Sequence, residues 1–141
     1  MANVSILPKD LAQVLPRTWT PVLLSVLRIM TGLLFLQHGT GKILGFPAIT
    51  MHEHGAMLYF TGLMELIGGA LITIGFLTRP VAFVLSGYMA FAYFLAHAPR
   101  GFFPVINMGE LAVLYSFVFL YLAAAGPGPW AIDRDYRDLR P

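Results

Sequence analysis

Four long apolar stretches organise the chain, at about residues 21–43, 56–77, 81–98 and 105–125. Each is close to the ~20 residues that a helix needs to cross ~30 Å of hydrocarbon. Helices satisfy their own backbone groups in lipid and an open sheet does not, so the pattern predicts an all-α, four-transmembrane-helix bundle in one membrane domain, 1–141. Thr78-Arg79-Pro80 and Pro99-Arg100-Gly101 are tight connections, which makes neighbouring spans antiparallel. Gly45 to Gly55 is the one sizeable loop between spans. The first apolar run starts only at Pro21, behind Lys9 and Arg17, and closes on His38-Gly-Thr-Gly-Lys42 with no small-residue cleavage site. It reads as a retained first span rather than a signal peptide.

Six ionisable side chains interrupt the apolar pattern inside the spans or at their ends: Arg28, His38, Lys42, Glu65, His97 and Glu110. Charges are costly in hydrocarbon, so a small membrane protein that keeps this many gathers them around something. Arg28, Thr31, Phe35, His38 and Lys42 recur at three- and four-residue steps and share one helix face; Ser86, Ala90, Tyr93, His97 and Arg100 do the same. Such stripes are expected to face the bundle interior. At ~1.5 Å of rise per residue, His38, His97, Asn107 and Glu110 fall in the outer leaflet, with Glu65 and Arg28 near mid-membrane as expected partners. Met30-Thr-Gly-Leu-Leu-Phe-Leu-Gln-His38 also aligns without gaps to Met89-Ala-Phe-Ala-Tyr-Phe-Leu-Ala-His97, and Met64-Glu65-Leu66 matches Gly109-Glu110-Leu111 in place. The repeat predicts two parallel helix hairpins, with the two histidines and the two glutamates at equivalent positions.

Composition sharpens the class. The 141 residues are 57% hydrophobic and 11% charged, where a soluble domain carries about a quarter charged residues. The chain is therefore read as an integral membrane protein, with membrane lipid as its first partner. A net charge of +2 and the lack of a basic stripe interleaved with aromatics argue against nucleic acid. The sequence holds no cysteine, which excludes thiol–disulfide chemistry, Cys-ligated zinc, iron–sulfur clusters and lipidation through Cys. Any redox role then needs a bound cofactor or a diffusing lipid-soluble carrier. Lys9, Arg17, Arg79, Arg134, Arg137 and Arg140 fall on the side of the termini, against Lys42 and Arg100 on the other. The positive-inside rule puts both termini in the cytoplasm of a plasma (inner) membrane protein.

Glu65, Glu110 and His38 are the candidate proton-handling groups, and Arg28, Lys42, Tyr93, His97 and Asn107 the candidate ligand-binding ones. A carboxyl in apolar surroundings holds its proton, one beside an arginine stays ionised, and histidine titrates near neutrality. Together with Phe35, Tyr88, Tyr93 and Phe94 they would suit a quinone head group. A plain structural reading stands beside each: an Arg28–Glu65 pair that fixes helix register, helix-end histidines bonded to carbonyls, and Lys42 snorkelling to the interface. Gly62, Gly68, Gly69 and Gly75 read as packing positions that bring Glu65 against its neighbour. His52-Glu53-His54 lacks the helical zinc spacing, so no metal is expected. No nucleotide fold or flavin motif is present, and a bis-His haem from His38 and His97 is the weaker redox alternative. The Gly126-Pro-Gly-Pro-Trp130 tail reads as an interfacial terminator.

Several of these residues, taken in order, resemble DoxX-type membrane proteins. The resemblance lies in Arg28…Gly32-Leu-Leu-Phe…His38-Gly-x-x-Lys42, Glu65-Leu-x-Gly-Gly69…Gly75-x-Leu-Thr-Arg79, Asn107-x-Gly-Glu110 and Gly126-Pro-Gly…Ile-Asp133, over about residues 22–133. It implies a four-helix membrane bundle associated with quinone-linked oxidoreductase systems. The expected cofactor is a bound quinone, none being held within the chain, and the expected partner is an oxidoreductase subunit or a second copy. A short first loop and the lack of cysteine depart from larger relatives and leave no sulfur relay through the protein. The alternatives are a non-enzymatic assembly subunit and a small-solute carrier.

Overall fold

A computed structural model describes residues 16–50 and 55–133. Lys9, the 51–54 stretch with His52-Glu53-His54, and Arg134, Arg137 and Arg140 lie outside the described residues. Among the described residues the protein is all-helical, with no strand. The helices are α1 (Trp19–Leu44), α2 (Ala56–Ile74), α3 (Thr78–Ala92), a short α4 (Pro104–Asn107) and α5 (Glu110–Ala125). Arg17–Leu44, Ala56–Ile74 and Thr78–Arg100 are long and apolar enough to cross a membrane, and Glu110–Ala125 is a shorter apolar helix. We call the membrane side that carries the Gly45–Gly55 segment the loop side, and the opposite one the terminal side.

The helices pack in two pairs, α1 on α2 and α3 on α5, with lighter contact between pairs. Glycine sets the α1–α2 register. A Cβ on Gly32 would strike Thr73, one on Gly69 would strike Leu36, one on Gly39 would strike Leu66, and one on Gly62 would strike Ile43. Residue numbers rise along one helix as they fall along the other, as two antiparallel helices at backbone contact require. Small residues permit this approach, and in lipid it is van der Waals contact, with no hydrophobic force, that rewards it. Gly75 is no packing residue of this kind: it takes the left-handed conformation (φ 69°) that ends α2 and turns the chain into α3.

The two pairs meet at Phe35, which is 1% exposed and makes edge-on contacts with Tyr88, Tyr115 and Phe119. Ile72, Ala82, Leu85 and Leu122 continue this core toward the terminal side. The side chains of the expected repeat do not occupy equivalent surroundings. Phe35 is buried where its counterpart Phe94 is 67% exposed, and Glu65 is buried where Glu110 is exposed.

Past Ala92 the third helix widens into a π-helical stretch, Tyr93–His97, and then tightens to a 3-10 turn, Ala98–Arg100. Pro99 has no N–H to offer the turn before it and its ring crowds that turn, a sufficient cause for the lost α register. The fourth span is broken too: Met108 (φ 57°) is left-handed between α4 and α5.

Candidate functional site

Three polar clusters emerge, at different depths. The deepest on the loop side joins α1, α2 and α3. Lys42 Nζ lies 2.9 Å from Glu65 Oε1 and donates to Thr61 Oγ1 at 3.2 Å, and Tyr88 donates its hydroxyl to the same Glu65 oxygen at 3.4 Å. The Lys42 and Glu65 side chains keep only 14% and 9% of their surface. Sequence reasoning gave Glu65 a different partner, Arg28, and gave Lys42 either a ligand-binding role or that of an outward-snorkelling anchor. The Arg28 pairing and the outward anchor are overturned. The glycine contacts place Leu36 opposite Gly69 and Ile43 opposite Gly62, so Lys42 is the cation level with Glu65. His38 is half-buried one turn before Lys42 on the same helix. Thr61 was not singled out from sequence, although it stands one turn before Glu65 on the Gly62 face, which is a legible signal.

Arg28 lies instead at the terminal end of α2, farther from the middle of the membrane than its place in the sequence suggested. The same glycine register explains this: Gly32 already faces Thr73, so the first turns of α1 run past the end of α2. Its guanidinium is fully buried and donates to the carbonyls of Ile72 and Thr73 (2.6 Å each), Pro127 (2.8 Å) and Trp130. The first two are among the carbonyls that a helix C-terminus leaves unsatisfied. Around it, Trp130 N–H donates to Ser25 Oγ at 3.1 Å. Asp133 accepts from Thr78 N–H and Oγ1 at 2.9 and 3.1 Å, at the positive end of α3. Arg79 treats α5 as Arg28 treats α2, donating to Ala123 O at 3.1 Å and to Ala124 O. This cluster fastens the tail, so Arg28 has a structural place here and does not hold Glu65.

The third cluster centres on Asn107, 1% exposed, at the loop-side end of the α3–α5 pair. Its Oδ1 accepts from Gly109 N–H at 2.8 Å, and its Nδ2 donates to Gly101 O at 2.8 Å and reaches Tyr93 Oη at 3.4 Å. His97 Nδ1 lies 3.0 Å from Asn107 O, a contact in which Nδ1 carries the proton, and the His97 and Tyr93 rings stack. Three expected ligand-binding residues, Tyr93, His97 and Asn107, therefore stand together. Beside them is a recess of about 450 Å³ lined by Tyr93, Phe94, Ala98, Phe102, Pro104 and Val113. Glu110 does not join a buried cluster. It is exposed in the first turn of α5, where a carboxylate complements the helix dipole. Among the described residues no group of three His, Cys, Asp or Glu could hold a metal ion.

The order of these residues along the chain can now be set beside known proteins. The DoxX family model matches residues 23–98, more than half of the sequence. The chain belongs to the DoxX family. An uncharacterized protein of Haemophilus influenzae is 43% identical over 125 residues, covering 84% of this chain and 93% of that protein. Inner membrane protein YqjF of Escherichia coli is 36% identical over 116 residues (77% of this chain, 88% of the relative). Inner membrane protein YphA of the same organism is 30% identical over 131 residues (81% and 90%). No solved structure matches. The family and the apolar helices make the chain a multi-pass membrane protein. The family match holds Arg28, Lys42, Glu65 and Tyr88, and stops before Asn107.

Proposed function

We propose that this DoxX-family protein is a four-span subunit of the inner membrane, both termini cytoplasmic, that binds a quinone-like ligand at its loop side and serves a membrane oxidoreductase. The observation that carries the reading is the Lys42–Glu65 pair closed over by Tyr88, a titratable cluster held almost wholly out of water inside a membrane-spanning bundle. Interconversion of quinone and hydroquinone moves protons as well as electrons, and the protein side of that exchange needs a carboxylate of this kind. Lys42 Nζ and the Tyr88 hydroxyl both meet Glu65 Oε1.

The recess beside Tyr93 is the seat for the ring. Its walls are aromatic, which suits a flat apolar ligand, and the Tyr93 hydroxyl supplies the few-atom polar contact that such pockets use for orientation. Tyr88 and Tyr93 are five residues apart on one helix, about 7 Å of rise, so ring seat and carboxylate are near neighbours in depth. Electrons would come from a partner subunit, since the sequence carries no cysteine and no nucleotide-fold or flavin motif.

Quinone retained by the purified protein tests this. Protein extracted in mild detergent from its native membrane is compared with Glu65→Gln and Tyr93→Phe by mass spectrometry of the bound lipids. Near-stoichiometric quinone that falls in both variants is expected. Quinone at bulk-membrane levels in the wild type would sink the reading and favour an assembly subunit. That second reading has its own support: the pair sits on the glycine crossing of α1 and α2, where an ion pair fixes register.

A further inference from the structure

Polar and apolar groups divide unevenly across the depth of the bundle. On the loop side of Phe35 stand Lys42, Thr61, Glu65 and Tyr88, with His38 half-buried beside Lys42. Toward the terminal side the interior is Ile72, Ala82, Leu85, Phe119 and Leu122, each at most 2% exposed. Of the hydroxyls at those depths, Thr73 donates to Gly69 O at 2.7 Å and Ser116 to Ser86 O at 3.1 Å, and Thr31 is buried. Below that floor the terminal-side polar groups are engaged with the tail. Arg28 holds four carbonyls, Thr78 holds Asp133, and Ser25 holds the Trp130 N–H.

We infer that the Lys42–Glu65 cluster is a one-sided cup: Glu65 exchanges protons and small polar species with the loop side only, and Phe35 with the apolar layer beneath it seals it from the terminal side. Glu65 is reached past Lys42, whose stem descends from the last turn of α1; the two side chains keep 9% and 14% of their surface. A proton entering from the terminal side would have to cross Ile72, Leu85, Phe119 and Leu122, and among the described residues this layer holds no titratable group. The inference rests on the Glu65 site of the proposed function. It adds that protons released by an oxidised ligand leave on one side, and that the chain in this conformation is no transmembrane carrier.

The absence of cysteine from the sequence makes the test direct. Single-cysteine variants are placed in sealed vesicles and treated with a membrane-impermeant methanethiosulfonate reagent from either side. Thr50→Cys and Thr18→Cys, both exposed in the native chain, report the loop and terminal faces. Thr61→Cys, buried but lining the cup beside Lys42, is expected to react only when the loop face is accessible, while Thr31→Cys and Ser86→Cys, similarly buried but away from Lys42, stay unmodified from both faces. Reaction of Thr61→Cys from the terminal face, its silence from both, or modification of Thr31→Cys or Ser86→Cys would overturn the inference.

Should these variants not fold, wild-type protein decides. A water-soluble carbodiimide is applied from one face at a time and Glu65 modification is read by mass spectrometry. Modification from the loop face alone is the expected result; modification from the terminal face, or from neither, refutes the cup. Quinone plays no part in either readout. A failure of ligand retention with one-sided labelling therefore counts against the proposed function alone, and two-sided labelling counts against the cup alone.

Discussion

Two glycines on neighbouring helices should respond to the same substitution with opposite sign. A Cβ added to Gly69 would meet Leu36 N at 2.6 Å, Leu36 Cα at 2.7 Å and Leu36 Cβ at 2.9 Å, where ordinary contact begins at 3.4 Å. The obstacle is backbone, so no rotamer relieves it, and α1 must move from α2 by about 0.8 Å, the difference between 3.4 and 2.6 Å. Overfilling a packed contact costs about 1–3 kcal/mol, and a gap of 0.5–1 Å forfeits about a quarter to a half of each flanking dispersion contact. The better helix propensity of alanine returns about 1 kcal/mol. Gly69→Ala should therefore destabilise by about 1–3 kcal/mol once the loss along the Gly32, Gly39 and Gly62 contacts is included. A Cβ on Gly87 meets nothing within 4 Å, so Gly87→Ala keeps only the propensity gain, about 0.5–1 kcal/mol. Unfolding of both variants by SDS titration from mixed micelles, followed by circular dichroism, gives the two signs. A neutral or stabilising Gly69→Ala would refute the backbone contact that sets the α1–α2 register, and with it the placement of Lys42 opposite Glu65.

Three further outcomes follow from the clusters. Lys42→Met leaves the Glu65 carboxylate buried without its cation and should cost about 3–5 kcal/mol, whereas Lys42→Met with Glu65→Leu should recover most of that loss. Equal stability of single and double variants in the same titration would mean that the pair is not desolvated. Arg28→Met strips hydrogen bonds from the carbonyls of Ile72, Thr73, Pro127 and Trp130, at about 1.5–3 kcal/mol for each bond to a charged group. It should lower stability more than Asp133→Asn and hasten proteolysis within 126–133; unchanged proteolysis would break the link between Arg28 and the tail. Asn107→Ala removes the side-chain acceptor that the Gly109 N–H shares with the Pro104 carbonyl, leaves the half-buried Gly101 carbonyl without its side-chain donor, and should cost about 1–3 kcal/mol, with earlier hydrogen exchange at Gly109. Retained protection there would show that the Pro104 carbonyl alone holds it.

Much of the site was visible as residue types and little of it as partners. Glu65, Lys42, Tyr93, His97 and Asn107 stand out because each is costly in lipid, and a cost can be read one residue at a time. Which cation serves Glu65 depends on how far α1 slides along α2, and a helix read alone carries no such coordinate. Counting depth from assumed span ends put Arg28 too far along α2, because α2 stops at Ile74, short of the expected Leu77, and Arg28 meets that end. Glu110 reads from sequence as the counterpart of Glu65, but α5 starts at that residue, so it stands exposed in the first turn of a helix.

The sequence by itself determined the class of protein, its all-helical make-up among the described residues and its family. These follow from hydropathy and turn chemistry, which are properties of short windows. Tertiary structure decided the pairing: Lys42 with Glu65, Arg28 with the tail, and Asn107 with His97 and Tyr93. Each pairing joins residues on separate segments. In a bilayer no hydrophobic force ranks one helix offset above another, so the register is chosen by glycine backbones that can touch and by buried polar groups that must find one another.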